Sequence, residues 1–296
     1  PDPCDVETAY HCARIVGDPK RPGGRLLLLN SARHSYVDLA DPRHLEFAYT
    51  QWIGAYVDTF AAAGRPVRAL HLGGGGFTLP RYLSATRPGS VNRVLELDGG
   101  LVELNRSRLG MVPGPELRIA VGDARTLMAG EPAGDYDLVV GDAFGHLAVP
   151  WHLTTTEFVA GVRRVLRSGG SYVLNVIDYP PGRLIRAELA TIRAVFSSVA
   201  LVAPARAIAG EVGANFVIIA STAPLNLTGL AAGLARLPEP VRLLSDGPPA
   251  SGGGVPATGG GAAGTGRHAS ELDAYVAGAG VLTDDYAPVD QLLSAP

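Results

Sequence analysis

The sequence contains 296 residues, of which 47% are hydrophobic and 18% are charged. This balance is typical of a globular protein and excludes an intrinsically disordered chain. The formal net charge of −3 at pH 7 argues against a nucleic-acid partner, which would favour a basic surface. No apolar run approaches the roughly 18 residues of a membrane-spanning helix, so we expect no membrane partner for this segment.

Cysteine usage bears on the compartment. The sequence has only two cysteines, Cys4 and Cys12. From so few thiols we expect no disulfide framework and no cysteine metal site, and the histidines show no metal-ligand spacing. A reducing compartment is then the default, which predicts a cytoplasmic protein. From the lack of ligand spacing we also expect no metal.

Short β-prone runs occupy the first forty residues. We predict strands over residues 10–16, 25–29 and 35–39, with a hairpin-like connection over the Gly- and Pro-containing residues 17–24. A small N-terminal β-domain is therefore expected over residues 1–43.

A helical pattern follows over residues 44–63, and strand-like and helix-like segments alternate from residue 67 onward. Apolar periodicity predicts further helices over residues 99–109, 154–166, 183–196 and 227–237. It predicts strands over residues 67–72, 91–97, 117–121, 136–140, 171–177, 199–202 and 215–220. This alternation indicates an α/β fold over residues 44–296, with a mostly parallel sheet covered by helices on both faces.

Residues 247–266 have a different composition. They contain nine glycines and three prolines, which predicts a flexible loop or linker. A lid over the site and a tolerated insertion are both compatible with this composition.

The carboxyl ends of the predicted strands carry the candidate binding residues. Ligands bind at that edge of an open parallel sheet, beside the point where the strand order reverses. A glycine cluster follows the first strand of this sheet, where it lets the backbone turn tightly and approach a ligand; a purely structural turn has the same composition. We predict that the cofactor is bound there by Gly73, Gly74, Gly75 and Gly76.

Acidic residues end the next two strands. Glu96 follows the glycines by about twenty residues, where a carboxylate is placed to accept hydrogen bonds from ribose hydroxyls. Asp98 could share in binding the cofactor or cap the helix that follows it. Asp123, with Ala124 beside it, is expected to face an adenine ring, although Asp123 could also be a helix cap.

Asp142 follows the fourth strand, and its carboxylate is expected to face the reacting end of the bound nucleoside. His146 is a candidate alternative base in the substrate site, or a loop histidine that faces solvent. The glycine cluster departs from the dinucleotide fingerprint at the third glycine, where Leu79 or a neighbour stands. This departure favours an S-adenosyl ligand over a dinucleotide.

These motifs resemble, in order and spacing, those of the spermidine synthase-like (polyamine aminopropyltransferase) family. The N-terminal resemblance lies in ETAY at 7–10, RLLLL at 25–29 and SYVDL at 35–39. It continues through the glycine cluster, LELD at 95–98, GDA at 122–124 and residues 136–142, and LTDDYAPVD at 282–290 resembles a closing motif of bacterial members. The resemblance implies a small β-domain followed by a Rossmann-like methyltransferase-type domain, often as a homodimer.

The resemblance also implies a reaction in polyamine biosynthesis, in which an aminopropyl group passes from decarboxylated S-adenosylmethionine to putrescine. Glu96 would bind the ribose, Asp123 the adenine, and Asp142 would help to deprotonate the attacking amine. Tyr49 and Gln51 resemble a family site that lines the amine pocket, although Tyr49 could also be core packing. The expected partner is a small-molecule amine, and no metal is required.

The sequence departs from the family pattern near the substrates. Gly76 stands where synthases usually carry an aspartate for the donor ammonium, Gly145 stands where they carry a second acid, and His11 and His34 replace two glutamines. Three functions stay open: aminopropyl or related alkyl transfer, methyl transfer from intact S-adenosylmethionine, and nucleoside binding without catalysis.

Overall fold

The computed structural model describes residues 4–145, 149–246 and 270–293. His146 and the Gly-rich segment 247–266 lie outside these described residues, so the predictions about them are not examined by the structure.

The N-terminal residues form a four-stranded antiparallel sheet of β1 (Val6–Glu7), β2 (Cys12–Asp18), β3 (Arg21–Leu29) and β4 (Ala32–Asp38). The three predicted strands and the hairpin that joins the first two are confirmed, but the connection is shorter than the predicted residues 17–24. The turn occupies only residues 19–20, and β3 runs through most of the predicted connection. Gly24 makes this possible, because a Cβ there would lie 2.0 Å from the Tyr36 hydroxyl on the neighbouring strand.

A disulfide joins Cys4 to Cys12, at the start of the same sheet. The expectation that these cysteines form no disulfide was therefore wrong. Two cysteines eight residues apart can be brought together by one β-hairpin, which the count of cysteines alone does not reveal. The argument from cysteine usage for a reducing compartment accordingly loses its support.

The rest of the chain alternates strands and helices. The strands are β5 (Arg68–Leu72), β6 (Val91–Glu96), β7 (Leu117–Val121), β8 (Tyr136–Gly141), β9 (Leu166–Asp178), β10 (Ser198–Ala203), β11 (Ala214–Ser221) and β12 (Arg242–Ser245). The helices are α1 (Ala48–Phe60), α2 (Thr78–Thr86), α3 (Gly99–Arg108), α4 (Ala124–Ala129), α5 (Thr156–Val165), α6 (Arg183–Arg193), α7 (Ala205–Ile208), α8 (Leu227–Leu234), α9 (Glu271–Val276) and α10 (Val289–Leu292).

The second sheet has the strand order β12-β10-β11-β9-β8-β5-β6-β7. Strands β9, β8, β5, β6 and β7 pair in parallel, which confirms the predicted mostly parallel α/β fold. Strand β11 is antiparallel to both β9 and β10. Residues 204–213 between β10 and β11 hold only α7, and a parallel return needs a crossover of about a dozen residues or more, so the chain reverses direction there.

Apolar side chains cover both faces of this sheet. Phe158 of α5 and Leu184 of α6 belong to the cluster on one face, and Trp52 of α1 belongs to the cluster on the other. Successive residues of β9, Val173 and Leu174, enter opposite clusters, as expected for a strand buried on both sides. Within the described ranges, no helix combines the length and apolar character that a membrane span requires.

Candidate active site

The strand order reverses between β5 and β8, with β6 and β7 on one side and β9 on the other. Gly73 and Asp142 directly follow these two central strands. Gly73 has a φ of +93°, and a Cβ there would lie 2.5 Å from the carbonyl oxygen of Asp142. Glycine therefore lets the two loops approach each other, which brings Asp142 beside the glycine cluster.

Most of the candidate cofactor-binding residues meet in one pocket, which we call the glycine-loop pocket. Its lining includes Gly73, Gly75, Glu96, Leu97, Asp98, Asp123, Ala124, Asp142, Phe144 and His152. Gly74 and Gly76 are not part of this lining; they shape the loop that forms it.

Glu96 organises the glycine loop. Its Oε2 accepts hydrogen bonds from the backbone amides of Gly74 at 2.7 Å and Gly75 at 3.1 Å, and its Oε1 accepts one from the amide of Asp98 at 2.8 Å. The side-chain amide of Asn105 donates to the Gly75 carbonyl at 2.8 Å. The Glu96 carboxylate is thus fixed at the pocket wall, with only 6% of the residue exposed.

Asp98 caps α3. Its Oδ1 accepts hydrogen bonds from the amides of Gly100 and Leu101, at 2.9 and 3.3 Å, and its Oδ2 accepts the Thr8 hydroxyl at 2.5 Å. Of the two roles that the sequence left open for Asp98, the structure shows the cap, together with a link to the N-terminal sheet.

Asp123 also caps a helix, but its second oxygen faces a histidine. Oδ1 accepts from the amide of Thr126 at 2.8 Å, and Oδ2 lies 2.8 Å from His152 Nε2. Partial burial raises the pKa of Asp123, but the hydrogen bonds from Thr126 and His152 outweigh this effect and hold the pKa below its ordinary value. Asp123 is therefore an ionised acceptor at neutral pH, as an adenine amino group requires.

Asp142 is held by two side chains. The Tyr49 hydroxyl on α1 donates to Oδ2 at 3.0 Å, and the Asn175 amide on β9 donates to Oδ1 at 2.9 Å. Burial raises the pKa of Asp142, although both hydrogen bonds act in the opposite direction. Burial also raises the pKa of Tyr49 well above its ordinary value, so the phenol remains protonated and donates. A buried carboxyl group with a raised pKa is a stronger proton acceptor than an exposed aspartate.

A second cavity of about 720 Å³ adjoins the first, and we call it the Tyr49 cavity. Its lining includes Arg33, Phe47, Tyr49, Trp52, Asp142, Asn175 and Asn215. Asp142, Phe144, His11, His34 and Leu29 border both spaces. Asp142 therefore lies at the junction between the glycine-loop pocket and the Tyr49 cavity.

Two of the predicted substrate residues, Tyr49 and Gln51, border different cavities. Tyr49 lines the Tyr49 cavity, but Gln51 donates from Nε2 to the Leu45 carbonyl at 2.8 Å and borders a different cavity. Residues two apart on a helix lie roughly 200° apart around its axis, so both cannot face one pocket. Gln51 therefore does not share the Tyr49 cavity with Tyr49, and its role in substrate binding stays a prediction. His146 lies in the part of the chain that the structure does not describe.

The departures from the family pattern have a structural context. A Cβ at Gly76 would lie 2.8 Å from the Ser35 Cβ, so β4 occupies the space of a side chain at that position. The Ser35 hydroxyl oxygen accepts from the Gly76 amide at 3.1 Å and lies 2.9 Å from His34 Nδ1. Burial, and secondarily the charge on His11, lowers the pKa of His34 to about 4, so His34 is neutral at pH 7.

Three polar residues of the site were missed in the sequence: His152, Asn175 and Asn215. Asn175 interrupts the apolar run of residues 172–177 within β9, a pattern that could have drawn attention to it. His152 and Asn215 carry no comparable sequence signal, because only the folded chain places them against Asp123 and Asn175.

Known proteins resemble this chain in sequence and in structure. The polyamine aminopropyltransferase of Vibrio vulnificus (strain CMCP6) is 32% identical over 134 residues, which span 45% of this chain and 44% of that relative's length. A probable spermidine synthase from Corynebacterium glutamicum ATCC 13032 superimposes with a TM-score of 0.81 at 26% identity, covering 100% of both chains. No protein-family model matches the chain.

A spermidine synthase in complex with the transition-state analogue AdoDATO shares the fold, with a TM-score of 0.55 at 15% identity, covering 80% of this chain and 79% of that one. These similarities confirm the predicted resemblance to spermidine synthase-like proteins, and the strand order confirms the Rossmann-like methyltransferase-type fold.

Proposed function

From this similarity and the geometry of the site, we propose that the chain is a polyamine-type aminopropyltransferase. It would bind an S-adenosyl donor in the glycine-loop pocket and transfer an aminopropyl group to an amine in the Tyr49 cavity. The observation that carries the proposal is the position of Asp142, which borders both spaces and is held there by Tyr49 and Asn175.

The reaction needs a base at this junction. An alkyl ammonium has an ordinary pKa near ~10 and cannot attack carbon until it loses a proton. In the proposed step, Asp142 accepts that proton, the amine nitrogen forms a bond to the methylene carbon next to the sulfonium, and the carbon–sulfur bond breaks. The bonding electrons pass to sulfur, which leaves as the neutral thioether methylthioadenosine. Besides this base, the reaction needs only that the amine and the donor are held in position, because the sulfonium is already a good leaving group.

The donor-binding roles follow from the pocket. Glu96 would accept the ribose hydroxyls, and Asp123 with Ala124 would contact the adenine. Because His152 Nε2 already lies 2.8 Å from Asp123 Oδ2, adenine binding to that oxygen requires His152 to move or to share it. The homodimer and the cytoplasmic location remain predictions.

Calorimetry tests the donor site first. We expect decarboxylated S-adenosylmethionine and methylthioadenosine to bind, and putrescine with the decarboxylated donor to yield methylthioadenosine and spermidine by mass spectrometry. Failure to bind any S-adenosyl compound would exclude the proposed function altogether.

A methyltransferase is the second candidate, because Ser35 leaves no room at Gly76 for the acid that holds a decarboxylated donor. Tighter binding of intact S-adenosylmethionine, with S-adenosylhomocysteine as product, would favour it. Nucleoside binding without catalysis is the third. An Asp142→Asn variant separates the two transferases from the non-catalytic protein. Either transferase should lose turnover in that variant while the nucleoside still binds.

A further inference from the structure

A chain of two asparagines leads from β11 to the Asp142 carboxylate. Asn215 Nδ2 donates to Asn175 Oδ1 at 3.0 Å, and Asn175 Nδ2 donates to Asp142 Oδ1 at 2.9 Å. Both asparagines line the Tyr49 cavity, and Asn175 is only 1% exposed.

The sheet explains how the two amides meet. Asn215 pairs with Ile177 and Val217 pairs with Asn175 in the antiparallel ladder of β9 and β11. Asn215 and Asn175 are diagonal neighbours on one face of the sheet, within reach of each other. This is the face covered by α1, from which Tyr49 reaches the other oxygen of Asp142.

The Asp142 carboxylate sets the donor-to-acceptor direction of these two hydrogen bonds. An ionised carboxylate only accepts hydrogen bonds, so Asn175 must present its amino group to Asp142. Its carbonyl oxygen then faces β11 and needs a donor, because an unpaired buried oxygen is costly. Asn215 supplies that donor. Without it, Asn175 can turn its amide over and place a carbonyl oxygen against the carboxylate.

We propose that Asn215 is a positioning residue that, through Asn175, holds the Asp142 carboxylate in its orientation and in its ionised form. Hydrogen bonds in such a chain polarise one another, so the donor at Asn215 strengthens the bond from Asn175 to Asp142. The inference rests on the proposed function only for what Asp142 does with the proton; the positioning itself is a property of the folded chain.

Other charged or titratable groups border the two spaces with Asp142. The Tyr49 cavity is bordered by Tyr49 on α1, Arg33 and His34 on β4, His11 before β2, Glu46 before α1 and Glu239 after α8. The glycine-loop pocket is bordered by His11 and His34 and also by Tyr10, Glu96, Asp98, Asp123 and His152. None of them changes when Asn215 is substituted, so a comparison of variants isolates the asparagine chain.

The titration of Asp142 tests the proposal without requiring turnover. Protein labelled with 13C at the aspartate carboxyl carbons is titrated by NMR, and Asp142→Asn assigns the Asp142 signal. In Asn215→Leu we expect the pKa of Asp142 to rise by about one unit, because the ionised form loses support. Asn215→Thr, which keeps a hydroxyl donor, should show a smaller rise. Ser221→Ala, at the far end of the same strand, is the matched control and should show none.

An unchanged Asp142 titration in folded Asn215→Leu would overturn the inference. If that variant does not fold, Asn215→Ala and Asn215→Val, which also lack a side-chain donor, are titrated instead, and an unchanged titration in both has the same meaning. Kinetics then separates positioning from substrate contact: the acidic limb of kcat/KM should move with the Asp142 titration, with the amine KM changed less than about threefold. A raised KM with an unmoved limb would make Asn215 a substrate contact. A shifted titration in a protein without transferase activity would reject the proposed function and leave the positioning intact.

Discussion

Arg125 and Asp284 form a two-point ion pair that ties the C-terminal segment to the helix after Asp123. Arg125 Nη1 and Nη2 donate to the two carboxylate oxygens of Asp284 at 2.7 and 2.5 Å, and Nη1 also donates to the His152 carbonyl at 2.9 Å. The Thr155 hydroxyl donates to the same Asp284 carboxylate at 2.7 Å. Residues 282–290, which resemble a closing motif of the family, thus support the histidine that faces Asp123.

Loss of this ion pair should loosen the adenine end of the pocket. We expect Asp284→Asn to weaken methylthioadenosine binding by up to about fivefold, ~1 kcal/mol, because both partners are partly exposed and such pairs contribute little in water. Calorimetry measures the effect, with Asp285→Asn as a control of equal charge change. Equal affinity of wild type and Asp284→Asn would show that the closing segment does not support the pocket.

The pH dependence of turnover should follow Asp142. Burial raises the pKa of its carboxyl group, and only the ionised form accepts a proton. Activity should therefore rise with pH through a limb whose midpoint lies above the ordinary aspartate value of about 3.9. We expect Asp142→Asn to reduce kcat by about 100-fold or more and to change methylthioadenosine affinity by less than about threefold. A variant that kept wild-type kcat would assign the base elsewhere.

Introducing at Gly76 the aspartate that spermidine synthases usually carry should fail in this chain. The side chain of Gly76→Asp would start 2.8 Å from the Ser35 Cβ, so we expect a loss of stability of about 1–3 kcal/mol and no gain in selectivity for the decarboxylated donor. Urea unfolding measures the first effect and competitive binding the second. The double variant Gly76→Asp with Ser35→Gly removes the contact and should recover part of the stability. Full stability of Gly76→Asp alone would mean that β4 moves aside.

Glu188 on α6 should destabilise the protein at neutral pH. It is 0% exposed, and neither carboxylate oxygen has a hydrogen-bond partner among the described residues. Burial raises its pKa well above the ordinary value, so the folded state binds a proton that the unfolded state releases. Below about pH 4, Glu188 is protonated in both states and does not change the free energy of unfolding. As pH rises above that value, the unfolded state loses the proton first, so the free energy of unfolding falls.

We accordingly expect Glu188→Gln to be more stable than wild type, with a difference that grows from pH 5 to pH 8. Urea unfolding at the two pH values tests this, with the exposed Glu103→Gln on α3 as the control. A difference that stayed constant with pH would mean that Glu188 does not change protonation on unfolding.

Local residue patterns were enough to predict the architecture and the loops that carry the site. Periodic apolar residues specify strands and helices because burial favours one pattern for each, and β9 with its two covered faces is an example. Glu96, Asp123 and Asp142 could be placed at strand ends for the same reason, since the ends of parallel strands share one edge of the sheet.

The partner of each side chain became known from the folded chain. The sequence left Asp98 between two roles, and the bond from Thr8, ninety residues away, together with the helix amides settles the cap. Asn215 reaches Asp142 through Asn175 because an antiparallel strand lies beside β9. Such contacts depend on the register between segments that are distant in the sequence, which local residue patterns do not encode. The apolar periodicity that builds the sheet, in contrast, is present locally in the sequence.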